Sequence, residues 1–198
     1  MISLEWMFYL LILFFGLIGA IRGWQREIIA MAGLLGSIAA LNSFGYPLAN
    51  AIQLVLTSEA SLDIQFFWVQ FVFHIVVAFF SYQVIARLAD RAPGAKFGDR
   101  LRVNFQRRFI GGCLGGINGY LLVGGLWCFL EFRLTLGGYE RLAPGVQYFF
   151  SPEVVQRPLI TDPTAFDVVS YLPFAMFSPA IWLVFFFISF FIVIIALI

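Results

Sequence analysis

The stretch that decides the fold is Phe109-Ile-Gly-Gly-Cys-Leu-Gly-Gly-Ile-Asn-Gly-Tyr-Leu-Leu-Val-Gly-Gly-Leu-Trp-Cys-Phe-Leu130. It carries no charge and is long enough to cross a bilayer, whose hydrocarbon core takes roughly 20 residues of helix. Hydrocarbon offers no water to the backbone, so a spanning segment is a helix or part of a closed barrel. Barrel strands alternate over about ten residues, whereas this run is apolar on every face. It therefore reads as a helix. Its glycines have a period: Gly111, Gly115 and Gly119 form one row, Gly112 and Gly116 a second, and Gly124 and Gly125 follow. Helices without side chains at the contact approach closely and gain dispersion where hydrophobic association offers little. Rows on two faces suit a helix contacted from both sides. Two readings stay open: internal packing, or a self-association or pore-lining face.

The rest of the chain resembles this stretch. Of 198 residues, 62% are hydrophobic and 12% charged, against ~45–50% and ~25% in soluble domains. That balance excludes disorder, nucleic-acid binding and almost any soluble enzyme. Further spans are expected over 6–21, 64–88 and 179–198. A weaker one, Ala- and Gly-rich and containing Asn42, covers about 28–48; its rival reading is a re-entrant or interfacial helix. Small residues recur in the first of these (Gly16/Ala20, Gly19/Gly23) and in the Ala-rich one (Ala32, Gly36, Ala40). The N-terminal run lacks the positive flank of a signal peptide, since its first charge is Glu5. It reads as a retained helix. The fold class is all-α, a polytopic transmembrane bundle of about five helices.

Charge placement orients the bundle, because Arg and Lys stay inside. Residues 87–108 hold Arg87, Arg91, Lys96, Arg100, Arg102, Arg107 and Arg108 against Asp90 and Asp99. The link at 22–27 is also net basic, while 45–63 and 131–178 are net acidic. With five helices these alternate without conflict, giving an outside N-terminus and an inside C-terminus. All five tryptophans (Trp6, Trp24, Trp68, Trp127, Trp182) fall near expected helix ends, where amphipathic rings prefer the interface. Three parts follow: a four-helix core over 1–130, an external Pro-rich segment over 131–178, and a last helix over 179–198. Repeated prolines forbid a long helix in the middle part. An irregular segment with short helical pieces is expected there, lying on the membrane through Tyr148, Phe149 and Phe150, with Glu131 and Arg133 solvated at its start.

Few polar groups remain inside the spans. Gln70, His74 and Ser81 share one face of the third helix, and Asn118 lies deep in the Gly-rich helix, where Gln70 or His74 is its expected partner. Intramembrane polar groups face the bundle interior. His74, the one histidine, is a hydrogen-bonded neutral imidazole, a proton relay or a ligand to a metal or haem; without a second His, a Cys pair or a carboxylate cluster it is weak support for a metal site. Cys113 and Cys128 stand about 22 Å apart along a helix and cannot bridge. No catalytic motif, cofactor-binding motif or phosphate loop is present, so catalytic, metal and cofactor residues are all expected to be none. The basic link at 87–108 sets orientation, binds anionic headgroups, or docks an acidic partner.

Two stretches together resemble the colicin V production protein family of bacterial inner-membrane proteins. Ile21-Arg22-Gly23-Trp24-Gln25-Arg26-Glu27 looks like the family's aliphatic-Arg-Gly-aromatic-x-Arg-Glu run, with Glu5 near the usual Asp. Arg107-Arg108-Phe109-Ile110-Gly111, with Gly115 and Gly119, is similar to its Asp-Arg-x-x-Gly-x-x-x-Gly-x-x-Arg-Gly signature. Arg107 stands where the family has Asp, and Asn118 where it has an intramembrane Arg. The likeness covers about 1–130 and implies a multi-pass protein of the bacterial inner membrane, tied to envelope homeostasis and toxin production. On that basis a non-enzymatic bundle is expected, acting as a homo-oligomer or as a scaffold for membrane partners in the lipid bilayer, without nucleic acid. Two other readings stand beside it: a small channel or transporter using the Gln70/His74/Ser81 stripe, and an accessory subunit of a membrane complex.

Overall fold

The computed structural model describes residues 4–55, 62–85, 101–151, 155, 157–158 and 167–197. Helix α1 (Leu4–Arg22) ends at Gly23, whose φ of +84° turns the chain. A left-handed residue of this kind stops a helix at little cost only when it is Gly. Its N–H still bonds the Gly19 carbonyl at 2.9 Å. Helix α2 (Trp24–Val55) starts at once and runs 32 residues through Pro47. Helix α3 (Leu62–Phe80) continues as a π-turn over Ser81–Ile85. Helix α4 (Leu101–Glu131) contains the Gly-rich stretch. At 31 residues it is ~46 Å long, well beyond the ~30 Å of a bilayer core.

After α4 come strands β1 (Phe132–Thr135) and β2 (Gly138–Arg141), paired antiparallel with Phe132 opposite Arg141 and Thr135 opposite Gly138. A 3₁₀ turn (Val168–Tyr171), helix α5 (Pro173–Met176) and helix α6 (Pro179–Leu197) complete the chain. Apart from the one hairpin, the described architecture is all-helical, as expected. Among the described residues, four helices are long and apolar enough to cross a membrane, over 4–22, 24–54, 63–83 and 105–131. The described apolar part of α6, Pro179–Ile195, is shorter.

Consecutive helices run in opposite directions. Gly19 of α1 meets Gly111 and Gly115 of α4, and further along Phe8 packs on Trp127 at 5.3 Å. Helix α2 is the axis of the bundle: it touches α3, α4 and α6, and its Leu34, Ile38 and Leu41 are the largest fully buried apolar side chains on it. Its weak amphipathicity has this cause. A helix contacted from several sides buries Ala, Gly and Leu all round rather than on one stripe. Helix α6 lies across α2, with Phe186 against Gly36, and leaves most of its surface bare.

Three expectations are corrected. The segment after α4 is not irregular at its start but a hairpin, held by the inward alternation of Phe132 and Leu134, both buried. Tyr148, Phe149 and Phe150 turn into the protein. The Tyr148 ring is buried, and Phe149 and Phe150 meet Phe67 of α3 edge-on at 4.8 and 5.5 Å. Trp127 and Trp182 stand near helix ends as expected, but their rings are buried in the protein rather than turned outward, the first donating its N–H to Tyr148 Oη at 3.1 Å. A tryptophan near a helix end serves a tertiary contact as readily as an interface when a partner for its N–H is in reach.

Candidate functional site

The polar centre of the molecule is a corner shared by four elements. Glu27, in the first turn of α2, is fully buried. Asn118 of α4 donates to the Glu27 carboxylate at 2.8 Å and to its backbone carbonyl at 2.9 Å. Arg22, the last residue of α1, pairs with Glu27 Oε1 at 3.1 Å, donates to the Tyr82 carbonyl at 3.1 Å and lies 4.6 Å from the Tyr82 ring centre. Tyr82, in the π-turn, donates to Glu27 Oε2 at 3.4 Å. The local sequence explains the geometry. Gly23 lets the chain reverse within one residue, so Arg22 and Glu27 face each other across the turn. A buried carboxylate is tolerable only with a counter-charge and hydrogen bonds, and both are supplied here.

This corrects the expected partner of Asn118. It reaches neither Gln70 nor His74, because Glu27 enters the bundle one turn after the corner and takes its amide. Replacing Asn118 by Leu strips donors from a buried carboxylate and a buried carbonyl. A loss of about 1–3 kcal/mol is expected, read as a lower midpoint of unfolding in detergent micelles; an unchanged midpoint would show the amide to be dispensable.

The stripe on α3 separates into three local contacts. His74 Nδ1 shares a hydrogen bond of 2.8 Å with Ser37 Oγ of α2, and its other edge lies against α4, where a Cβ on Gly125 would come within 2.9 Å of Nε2. Gln70 accepts from Tyr139 of β2 at 2.7 Å and donates to the Phe66 carbonyl. Ser81 bonds back to Val77 O at 2.7 Å and fills the space opposite Gly33. The Ser37–His74 pair has the atom types of a nucleophile and base. Both residues are buried, so nothing outside the fold reaches the hydroxyl.

The glycines of α4 divide by face. Gly111, Gly115 and Gly119 touch the backbone of α1 or the base of its Phe15 side chain. Gly112 and Gly116 border the same contact with room to spare: a Cβ added there would lie 3.5 Å from Ala20 Cβ and 4.0 Å from Ile12 Cγ2. Of the residues in the family-like runs, Arg22, Gly23 and Glu27 form the corner, Arg26 sits half-buried one residue before Glu27, and Arg108 is exposed on α4. Arg107 folds over Gly23, 2.8 Å from the place a Cβ would take there. Arg87, Arg91, Lys96 and Arg100 of the basic link lie outside the described residues, as does the Arg102 side chain. Among the described residues no group of three or more His, Cys, Asp or Glu is placed to hold a metal ion.

A second charged centre was not foreseen. Glu131, expected in solvent, is 2% exposed. It receives Arg157 Nη2 at 2.5 Å and Nε at 3.1 Å, Tyr148 Oη at 2.8 Å and Arg141 Nε at 3.4 Å. Burial beside this carboxylate pushes the Tyr148 phenol far above its usual range. Arg141 also grips Asp167 through both Nη atoms, at 2.5 and 3.1 Å. Burial alone would raise the Asp167 carboxyl, but the Arg141, Ser170 and Val169 N–H bonds outweigh it and hold it below the usual carboxylate range. A lowered folded-state value means that the ionised form stabilises the fold fully above the unfolded value, and that this is lost as pH falls through the folded one. Protection of the Val169 amide, which Asp167 accepts at 3.1 Å, should therefore drop below about pH 4. Asp167→Asn should abolish that step in hydrogen exchange; a wild-type profile flat down to pH 2 would contradict the assignment.

No family model matches the chain, and neither a curated protein nor a solved structure matches it.

Proposed function

We propose that the chain is a non-catalytic membrane protein of the colicin V production type, acting in the inner membrane of a bacterium as a scaffold for other membrane proteins or for further copies of itself. One observation carries the reading. Arg22, Gly23 and Glu27, the residues of the family-like run, close a single buried corner, and the side chain that completes it is Asn118. That is the position where the resemblance places an intramembrane Arg. An Arg there would meet the same carboxylate, so the two distant motifs make sense as one site. Arg22 supplies the charge that Asn118 lacks. The basic ends at Arg26, Arg107 and Arg108 face the cytoplasm in this reading, where anionic headgroups lie near them.

The stripe of Gln70, His74 and Ser81 gives the channel reading little support, since Gln70, Ser81 and the Nδ1 edge of His74 are hydrogen-bonded within the fold and only His74 Nε2 is left without a partner. The test is replacement of the resident colicin V production protein of a bacterial host by this chain, with exported colicin V as the readout. Restored export by the wild type, lost with Glu27→Leu at equal membrane abundance, is expected. A wild-type chain that inserts normally yet restores nothing would overturn the family reading.

A further inference from the structure

The start of α3, the end of α4 and strand β1 enclose a cavity of about 130 Å³. Exposure orders its walls. Asp63 and Arg133 line it and are about half exposed, so they stand at its mouth. Phe67, Phe129 and Phe132 line it and are buried, so they form its floor, with the buried Gln70 beside them. The Gln70 amide already accepts from Tyr139 and donates to the Phe66 carbonyl, so the floor suits an apolar group. The mouth carries both signs of charge. Arg133 Nη2 lies 2.6 Å from Asp63 Oδ2, and among the described residues that is the one polar side-chain contact of either. The guanidinium therefore keeps most of its five N–H donors, and Asp63 keeps its second oxygen. An exposed ion pair contributes little to stability, so opening it to admit a ligand costs little.

We propose that this cavity binds a free α-amino acid with a one-ring side chain, the class of phenylalanine. Its carboxylate meets Arg133, its ammonium meets Asp63, and its ring enters the floor. Charge, size and lining each select this occupant. A carboxylate and an ammonium carried on one carbon match a guanidinium and a carboxylate held side by side, and a carboxylate can take the Arg fork through two parallel bonds. A cavity of ~150 Å³ in another protein holds benzene, so about 130 Å³ takes one ring and not an indole. Aromatic walls offer the edge and offset contacts that a further ring prefers. A zwitterionic lipid headgroup also carries both charges, but its tails lead away into the bilayer and leave the ring-lined floor unfilled. The site stands independently of the scaffold reading.

Equilibrium dialysis of the full chain in detergent micelles against labelled L-phenylalanine tests the site, and saturable binding of one ligand per chain is expected. Phenethylamine, which lacks the carboxylate, 3-phenylpropionate, which lacks the ammonium, and L-tryptophan, which is too large, should each compete at least tenfold more weakly than unlabelled phenylalanine. Arg133→Gln and Asp63→Asn should each weaken binding at least tenfold at an unchanged midpoint of unfolding, because both side chains are half exposed. Should either variant fail to insert, Val146→Trp, at an exposed position on the wall, fills the cavity and should abolish binding. No retention of phenylalanine at millimolar concentration, competition by the one-charge analogues or tryptophan as strong as by phenylalanine, or wild-type binding in the variants would each overturn the site. Phosphoethanolamine displacing phenylalanine at lower concentration than phenylalanine itself would assign the mouth to a lipid headgroup and overturn the amino-acid reading.

Discussion

Gly115→Ala is expected to unseat α1 from α4, whereas Gly116→Ala, one residue further on, leaves the fold standing. The added carbon is the same and the helix is the same; only the face differs. A Cβ on Gly115 would press into the Phe15 carbonyl oxygen and lie 2.8 Å from Gly19 Cα. Both are backbone atoms of a helix, which cannot step aside as a side chain end can. Overpacking of side chains costs about 1–3 kcal/mol, and backbone against backbone should exceed that range, because relief requires moving the whole of α1. A Cβ on Gly116 meets only Ile12 Cγ2 at 4.0 Å, and Ala carries a helix propensity about 1 kcal/mol better than Gly. That variant should be neutral or slightly more stable. Thiols give the readout. Cys128 is buried and Cys113 exposed, so in a Cys113→Ser background the labelling of Cys128 on heating reports opening of the bundle. A strongly lowered midpoint for Gly115→Ala, with Gly116→Ala near wild type, is the expected pair of results. Equal behaviour of the two variants would show that α1 does not pack on this face.

The period of the glycines announced a close helix contact but not its partner. Rows at 111/115/119 and 112/116 look equivalent in sequence. What separates them is the position of α1, fixed by the Gly19 and Gly23 spacing on one side and by the Gly23 turn on the other. The helices themselves were legible because a lipid-exposed span must be apolar on every face, and that requirement leaves no other pattern. Glu27 was not, for an instructive reason. It stands in a short charged link between two apolar runs, where a charge normally meets water. Only the one-residue corner at Gly23 carries it into the bundle, and the sole trace in the sequence is an Arg five positions before a Glu that is followed at once by Ile28 and Ile29. Glu131 escaped in the same way. Its principal partner, Arg157, lies 26 residues along in a Pro-rich stretch whose path no local pattern specifies. Charge counts per segment give an orientation, yet they treat every charge as solvated, and here two of the acids are not.

Arg157→Met is expected to release the segment after the hairpin while the helices remain folded. Arg157 uses its whole guanidinium: Nε and Nη2 reach Glu131, Nη2 also reaches the Leu142 carbonyl, and Nη1 reaches the carbonyls of Ala143 and Val146 at 2.8 and 2.7 Å. It thereby binds the 142–146 turn to the end of α4. Removing it leaves a 2%-exposed carboxylate with only Tyr148 and a long contact to Arg141, and breaking one partner of a buried pair costs about 3–5 kcal/mol. Local opening is the cheapest response, since Glu131 regains water if the segment lifts. Phe149 and Phe150 then leave Phe67, so chymotrypsin should cut there many times faster than in the wild type. Arg157→Lys keeps the charge but not the planar fork of five donors, and should restore less than half of the protection. The double variant Glu131→Leu with Arg157→Met separates the causes. If the uncompensated carboxylate drives the opening, removing it makes the double variant more protected than Arg157→Met alone. If the lost carbonyl contacts drive it, the double variant opens as readily as the single one. Unchanged cleavage in Arg157→Met would mean that the aromatic contacts to Phe67 hold the segment by themselves.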